Sequence, residues 1–241
     1  MNVQDLLVTL RLATVTTVTL MVLALPLARW IALVRLGRGG RGRAGYGLKG
    51  GPGIFASVVE ALVALPLVLP PTVLGFYLLV FLGPRTAPGR FLAAFVGHPL
   101  AFSFSGLVVG SVIYSFPFAV QPLVAGFSSV DTELLDAAAL LGAGRWRTFV
   151  EVVLPLSKRS ILTAAVLAFT HTVGEFGVVL MIGGDFPGRT RTLSISIYDE
   201  VQNFAYADAS RTGLLLLGFS FTALLLIYWR SAKGAVDERA G

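Results

Sequence analysis

Five runs of apolar residues, at about 6–31, 54–82, 101–124, 160–182 and 209–229, alternate with stretches that are polar or rich in glycine and arginine. At about 1.5 Å of rise per residue, each run as a helix is long enough to cross a hydrocarbon core of about 30 Å. The pattern predicts an all-α membrane protein with about five transmembrane helices, forming one transmembrane domain over 1–241. The first run has no basic region ahead of it and no small-x-small site before Arg29, so it is expected to be kept as a span rather than cleaved as a signal peptide. Within the second run, Pro66, Pro70 and Pro71 remove backbone donors at mid-membrane depth and predict a kinked or unwound helix. Broken backbone at that depth is tolerated where it is buried in protein or lines a wet cavity. A simple packing kink is the alternative reading.

Between the third and fourth runs lies a polar, helix-forming segment at about 125–159. Asp131 is placed to cap a helix, and Glu133 adds favourable charge to its first turn. Leu134, Ala137, Ala138 and Leu141 recur at i, i+3, i+4 and i+7, which gives one apolar face with alanines at its centre. A second surface can approach such a face at close to backbone distance. Gly142 suits the left-handed residue that ends a helix. Trp146, Phe149, Val150 and Val153 begin a second amphipathic stretch that Pro155 is expected to stop. Periodicity alone fits equally a helix lying on the membrane surface.

Composition agrees with the spans. Hydrophobic residues make up 55% of the chain and charged residues 13%, about half the charged fraction of a soluble domain. The net charge of +6 raises nucleic acid as a partner, but the basic residues are sorted by loop rather than gathered on one face, so none is expected. Thirteen of the nineteen Lys and Arg residues fall after the first run (with Arg29 just before its end), after the third, or in the tail. Six fall on the other side: Arg11, Arg85, Arg90, Arg189, Arg191 and Arg211. By the positive-inside rule the N-terminus is outside, and both the tail and the 125–159 segment are cytoplasmic. The Gly/Arg-rich stretch at 37–53 reads as a solvated topogenic loop against an anionic lipid surface.

Candidate chemistry is sparse. There is no cysteine, and the two histidines, His98 and His171, lack metal-ligand spacing, so no metal site is expected. No G-x-x-x-x-G-K-[ST] pattern occurs. Glu175, between Gly174 and Gly177 and one turn after His171, is an acidic group deep in the fourth run, where an ionisable side chain is costly and faces the bundle interior or a cavity. It would repel a dianion, so it reads as a gate or packing residue, held by hydrogen bonds or by His171. Thr9, Thr14, Thr16, Thr17 and Thr19 in the first run either hydrate a polar path or bond their own backbone.

The spacing Asp136-Ala137-Ala138, Gly142, then Leu154-Pro155 resembles the EAA loop of ABC importer permeases, with Asp136 where that family most often has Glu. The resemblance implies a cytoplasmic surface that engages an ATPase, with Asp136, Ala137, Ala138, Leu141, Gly142, Leu154 and Pro155 as its coupling residues. The block from Leu65 to Leu79, which contains Leu69-Pro70-Pro71-Thr72-Val73-Leu74-Gly75, is similar to molybdate permeases. Gly174-Glu175-Phe176-Gly177 and Gly183-Gly184-Asp185-Phe186-Pro187-Gly188-Arg189-Thr190-Arg191-Thr192-Leu193 are similar as well, with Ile197-Tyr198-Asp199 beyond.

What the resemblance implies is a type I importer permease fold with a coupling helix between the third and fourth spans. It implies a homodimer in a bacterial or archaeal cytoplasmic membrane, paired with two cytosolic ATPase subunits and fed by an extracytoplasmic oxyanion-binding protein. No cofactor is expected on this chain, ATP and Mg belonging to the ATPase. Pathway or gate positions would then be Pro66, Pro70, Pro71, Thr72, Gly174, Glu175 and Gly177. Tungstate, sulfate and thiosulfate are alternative cargoes of similar charge and shape. An intramembrane enzyme is a distant alternative, since Glu175 with His171 has no recognisable nucleophile; a passive channel or scaffold would not need the coupling segment.

Overall fold

The apolar runs form helices whose ends are set by proline, glycine and hydroxyl caps. A computed structural model describes residues 3–38 and 53–240, the side chains of Arg38 and of 226–240 excepted. The 39–52 part of the Gly/Arg-rich stretch therefore lies outside the described residues. Every regular element among those described is helical: α1 (Val3–Arg38), α2 (Gly53–Val68), α3 (Pro71–Leu82), α4 (Ala87–Val96), α5 (Phe104–Ser128), α6 (Thr132–Leu140) and α7 (Arg145–Thr148), then a π-helical turn (Phe149–Val153), α8 (Leu154–Leu156), α9 (Lys158–Gly174), α10 (Gly177–Gly183), α11 (Leu193–Gln202) and α12 (Tyr206–Ala240).

α1 and α5 are each long and apolar enough to cross a membrane. The second predicted span is not one helix. α2 and α3 are separated at Leu69 and Pro70 and bend by 112° there. Pro70 is the N-cap of α3 and Pro71 opens it, where a missing N–H costs nothing. The fourth predicted span is also divided, because α9 ends at Gly174 and α10 starts at Gly177. The fifth lies on α12, one unbroken helix of 35 residues.

Contacts divide the chain into two compact units. The first comprises Met1–Leu20, Pro66–Ser115 and Ala168–Gly241; the second comprises Met21–Leu65 and Phe116–Leu167. In the first unit Leu12, Leu107, Val179 and Ile195 form a buried cluster. The short helix α10 is its centre: Val178, Val179 and Ile182 are fully buried. Glycines let α10 come this close to its neighbours. A Cβ at Gly75 of α3 would stand 2.7 Å from the Met181 Cβ, and one at Gly110 of α5 would stand 2.5 Å from the Ile182 Cδ1. In the second unit, Phe127 of α5 meets Phe149 edge-on with ring centroids 5.3 Å apart. Below it, Gly126 lies so near Ser160 that a Cβ would approach that residue's Cβ to 2.3 Å.

Candidate functional site

The segment after α5 folds locally much as its residues dictate. Asp131 caps α6, its Oδ1 accepting from the Glu133 N–H at 3.0 Å. The helix closes in a Schellman motif. Ala143 N–H donates to the Ala138 carbonyl at 2.9 Å, Gly142 N–H donates to that of Ala139 at 3.0 Å, and Gly142 sits at φ +80°. Of the face read from the sequence, Leu134 and Leu141 are 48% and 88% exposed, Ala137 is exposed, and Ala138 and Asp136 are half-buried. Leu135 points the opposite way and is buried, which holds α6 to its unit.

Pro155 does not stop the second stretch, contrary to expectation. The helical path runs through it to Leu156 and turns by 72° at Ser157 into α9. The reason is the π-helical turn just ahead, in which Leu154 N–H reaches back five residues to the Phe149 carbonyl. An α-helical proline collides with the carbonyl four residues before it; the wider turn moves that carbonyl aside. Leu154 is half-buried and Pro155 exposed. Ser157 is buried and its Oγ donates to the Gly126 carbonyl at 3.2 Å.

An anchor for this segment comes from α1. The Arg29 guanidinium lies 4.8 Å from the Trp146 ring centroid and 4.9 Å from that of Phe149. Its Nη2 also donates to the Arg145 carbonyl at 3.5 Å. A cation held between two aromatic faces is worth about 0.5–2 kcal/mol. Sequence reading gave Arg29 only a topological charge, because no periodicity relates residues 116 positions apart. Arg35, read the same way, makes a bidentate pair with Glu60, Nε to Oε1 at 3.1 Å and Nη2 to Oε2 at 2.7 Å.

In the other unit the structure brings together the two breaks. Gly177 lies against the opening of α3, where a Cβ would stand 2.8 Å from the Pro71 Cβ and 3.3 Å from the Thr72 N. Pro71, Thr72 and Gly177 are therefore one contact. Gly174 has open space at its Cβ position. Pro66 lies within α2, which continues past it to Val68. Between the glycines Glu175 is buried at 4% exposure; neither carboxylate oxygen makes a hydrogen bond of good geometry, and the Ser111 hydroxyl of α5 is the polar group beside it. The expected bond to His171 is not made. The His171 ring is turned to the Ser115 hydroxyl, Nδ1 to Oγ 2.8 Å, and Ser115 in turn meets the Thr172 hydroxyl at 3.1 Å. Ser115 of α5 supplies the partner, and the residues of the fourth apolar run alone give no sign of it.

Thr9, Thr14 and Thr19 each donate to the carbonyl four residues back at 2.8 Å, the backbone-bonding alternative. Thr16 and Thr17 leave their hydroxyls unpaired. Thr9 also accepts from the Leu193 N–H at 2.9 Å and so fixes the start of α11. The glycine-rich loop ahead of α11 is a built turn, with Gly184 and Gly188 at φ +65° and +71°. Arg191 closes it on Asp185, with a second carboxylate, Asp199, at 3.7 Å. The hydrogen bond to Asp185 holds the Arg191 guanidinium more firmly in its charged form. Among the described residues no group of acidic or histidine side chains is placed to hold a metal ion.

The model of a family described as binding-protein-dependent transport system inner membrane component matches residues 46–239. The chain is 48% identical over 221 residues to the molybdenum transport system permease protein of Azotobacter vinelandii, covering 91% of this chain and 90% of that one. It is 36% identical over 186 residues to the protein of the same description from Escherichia coli K12, covering 77% and 80%. Among solved structures, a methionine ABC transporter in inward-facing conformations aligns with TM-score 0.67 at 18% identity, over 93% of this chain and 92% of that one.

Proposed function

The chain belongs to the family of inner-membrane components of binding-protein-dependent transport systems, and on that premise we propose that it is the permease subunit of an ATP-driven importer of molybdate. The observation that carries the cargo is the 48% identity to a molybdenum permease along nearly the whole of both chains. The chain itself is a transporter subunit and not an enzyme. In this reading two copies form the channel, two cytosolic ATPase subunits hydrolyse ATP with Mg, and an extracytoplasmic protein delivers the anion. The N-terminus is outside and the 125–159 segment cytoplasmic, which the thirteen-to-six division of Lys and Arg supports.

The exposed α6 face, with Asp136, Ala137, Ala138, Leu141 and Gly142, is the surface the ATPase grips. The run through Leu154 and Pro155 carries its movement to α9. The paired breaks at Pro70–Pro71 and Gly174–Gly177, with Thr72 and Glu175 and with Pro66 a turn earlier, form a wall that changes between inward- and outward-open states. Broken helices at membrane depth are found where backbone lines a pathway or is buried in protein.

The test is uptake in proteoliposomes that hold the chain, its ATPase and its binding protein. ATP-dependent accumulation of labelled molybdate that excess sulfate does not suppress is expected. Accumulation of sulfate in preference to molybdate would move the cargo to the alternative, and failure to copurify with a Walker-motif ATPase would remove the coupling role.

A further inference from the structure

The first unit contains an open cavity of about 1040 Å³, bounded by the start of α1, the start of α5 and the loop before α11. Its charged lining, Arg11 and Arg189, is of one sign. Arg11, Arg189 and His98 face it together with Gln4, Ser103 and Ser105, and no carboxylate does. The three arginines of this region are not equivalent. Arg191 is taken up by Asp185 and Asp199, whereas Arg189 is exposed and makes no ion pair among the described residues. Arg11 has its guanidinium 4.6 Å from the Phe104 ring centroid, again with no carboxylate.

Arg11 also sits eight residues into α1, about 12 Å along the helix at 1.5 Å per residue. Arg11 is exposed there, and an ionisable residue within an apolar span faces the bundle interior or a water-filled cavity, which makes it a candidate functional residue. Hydroxyls complete the lining, with Ser103 and Ser105 Oγ atoms 2.8 Å apart. A cavity this large admits an anion with part of its hydration and does not grip it.

We propose that this cavity is a low-affinity capture site for tetrahedral dianions, an outer vestibule in which Arg11 and Arg189 concentrate the released anion before it passes inward. The proposal rests on the importer reading and on the outside placement of the N-terminus, but it is tested separately. Clefts lined by one sign of charge raise local counter-ion concentration and capture rates by about tenfold or more.

The natural chain has no cysteine, so Ala101→Cys places a single thiol in the cavity wall. In the assembled transporter, an anionic thiol reagent should label it about tenfold faster, relative to a neutral reagent, than it labels the same thiol in an Arg189→Gln or Arg11→Gln background. Millimolar molybdate or sulfate should slow labelling where chloride of equal ionic strength does not. Arg189→Gln lies on an exposed loop and keeps the test valid if Arg11→Gln fails to fold. Equal protection by chloride, or no loss of the anionic preference in Arg189→Gln, overturns the proposal. Protection that depends only on phosphatidylglycerol in the bilayer, with none from soluble dianions, assigns the cavity to a lipid headgroup and overturns it too. Molybdate uptake with unchanged labelling would defeat the vestibule alone; protection by sulfate with no molybdate uptake would leave the vestibule and defeat the cargo.

Discussion

Gly142 separates backbone strain from crowding. At φ +80° it is left-handed, yet a Cβ there would meet nothing within 4 Å. Gly142→Val therefore adds strain of about 1 kcal/mol or more at a position with open space around its Cβ, and it acts on the Schellman closure that sets the corner after α6. Transport should fall while membrane insertion persists. Normal uptake with normal ATPase association in this variant would remove the corner from the mechanism. Glu175 is the opposite case, a buried carboxyl that makes no hydrogen bond of good geometry. A buried polar group without a well-formed hydrogen bond is costly, so Glu175→Gln should melt in detergent at or above the parent temperature. A fall of several degrees would show that the carboxyl has a stabilising role the geometry does not reveal.

At the scale of elements, the cysteine-free chain allows the topology to be read directly. A thiol at Ala143, in the corner between α6 and α7, should be shielded from an impermeant reagent in intact cells, and one at Ala87, at the start of α4, should label. Labelling of Ala143→Cys from outside would reverse the orientation and end the ATPase-docking reading. The elements themselves were largely legible, because each signal was local. Asp131 as a cap, Gly142 as the left-handed corner and the break at Pro70 all depend on residues within one or two turns. The continuity through Pro155 was not legible, since sequence gives no sign that the preceding turn will widen to π. Nor was the division of the fourth span, where Gly177 lies against Pro71, more than a hundred residues earlier. Arg29 between Trp146 and Phe149 is hidden for the same reason: contacts between distant helices leave no period in a single chain.

For the whole molecule, the proposed division of labour places tight selectivity outside this chain. A vestibule lined by arginines with a buried Glu175 elsewhere in the same unit is suited to passing an anion on and poorly suited to keeping it. The chain with its ATPase, but without the binding protein, should bind molybdate far more weakly than the binding protein does, as calorimetry would measure; sub-micromolar affinity would place selectivity here instead. One packing feature sets a limit on how such a molecule can change over generations. α10 touches α3 and α5 at Gly75, Gly110 and Gly177, and on the glycine side of each contact there is no side chain to trim. Surfaces cushioned by leucines can drift through many small exchanges of volume. These three positions have no smaller residue to fall back on, so the neighbourhood of α10 can be resized from one side alone, at Met181, Ile182 and Pro71 opposite them.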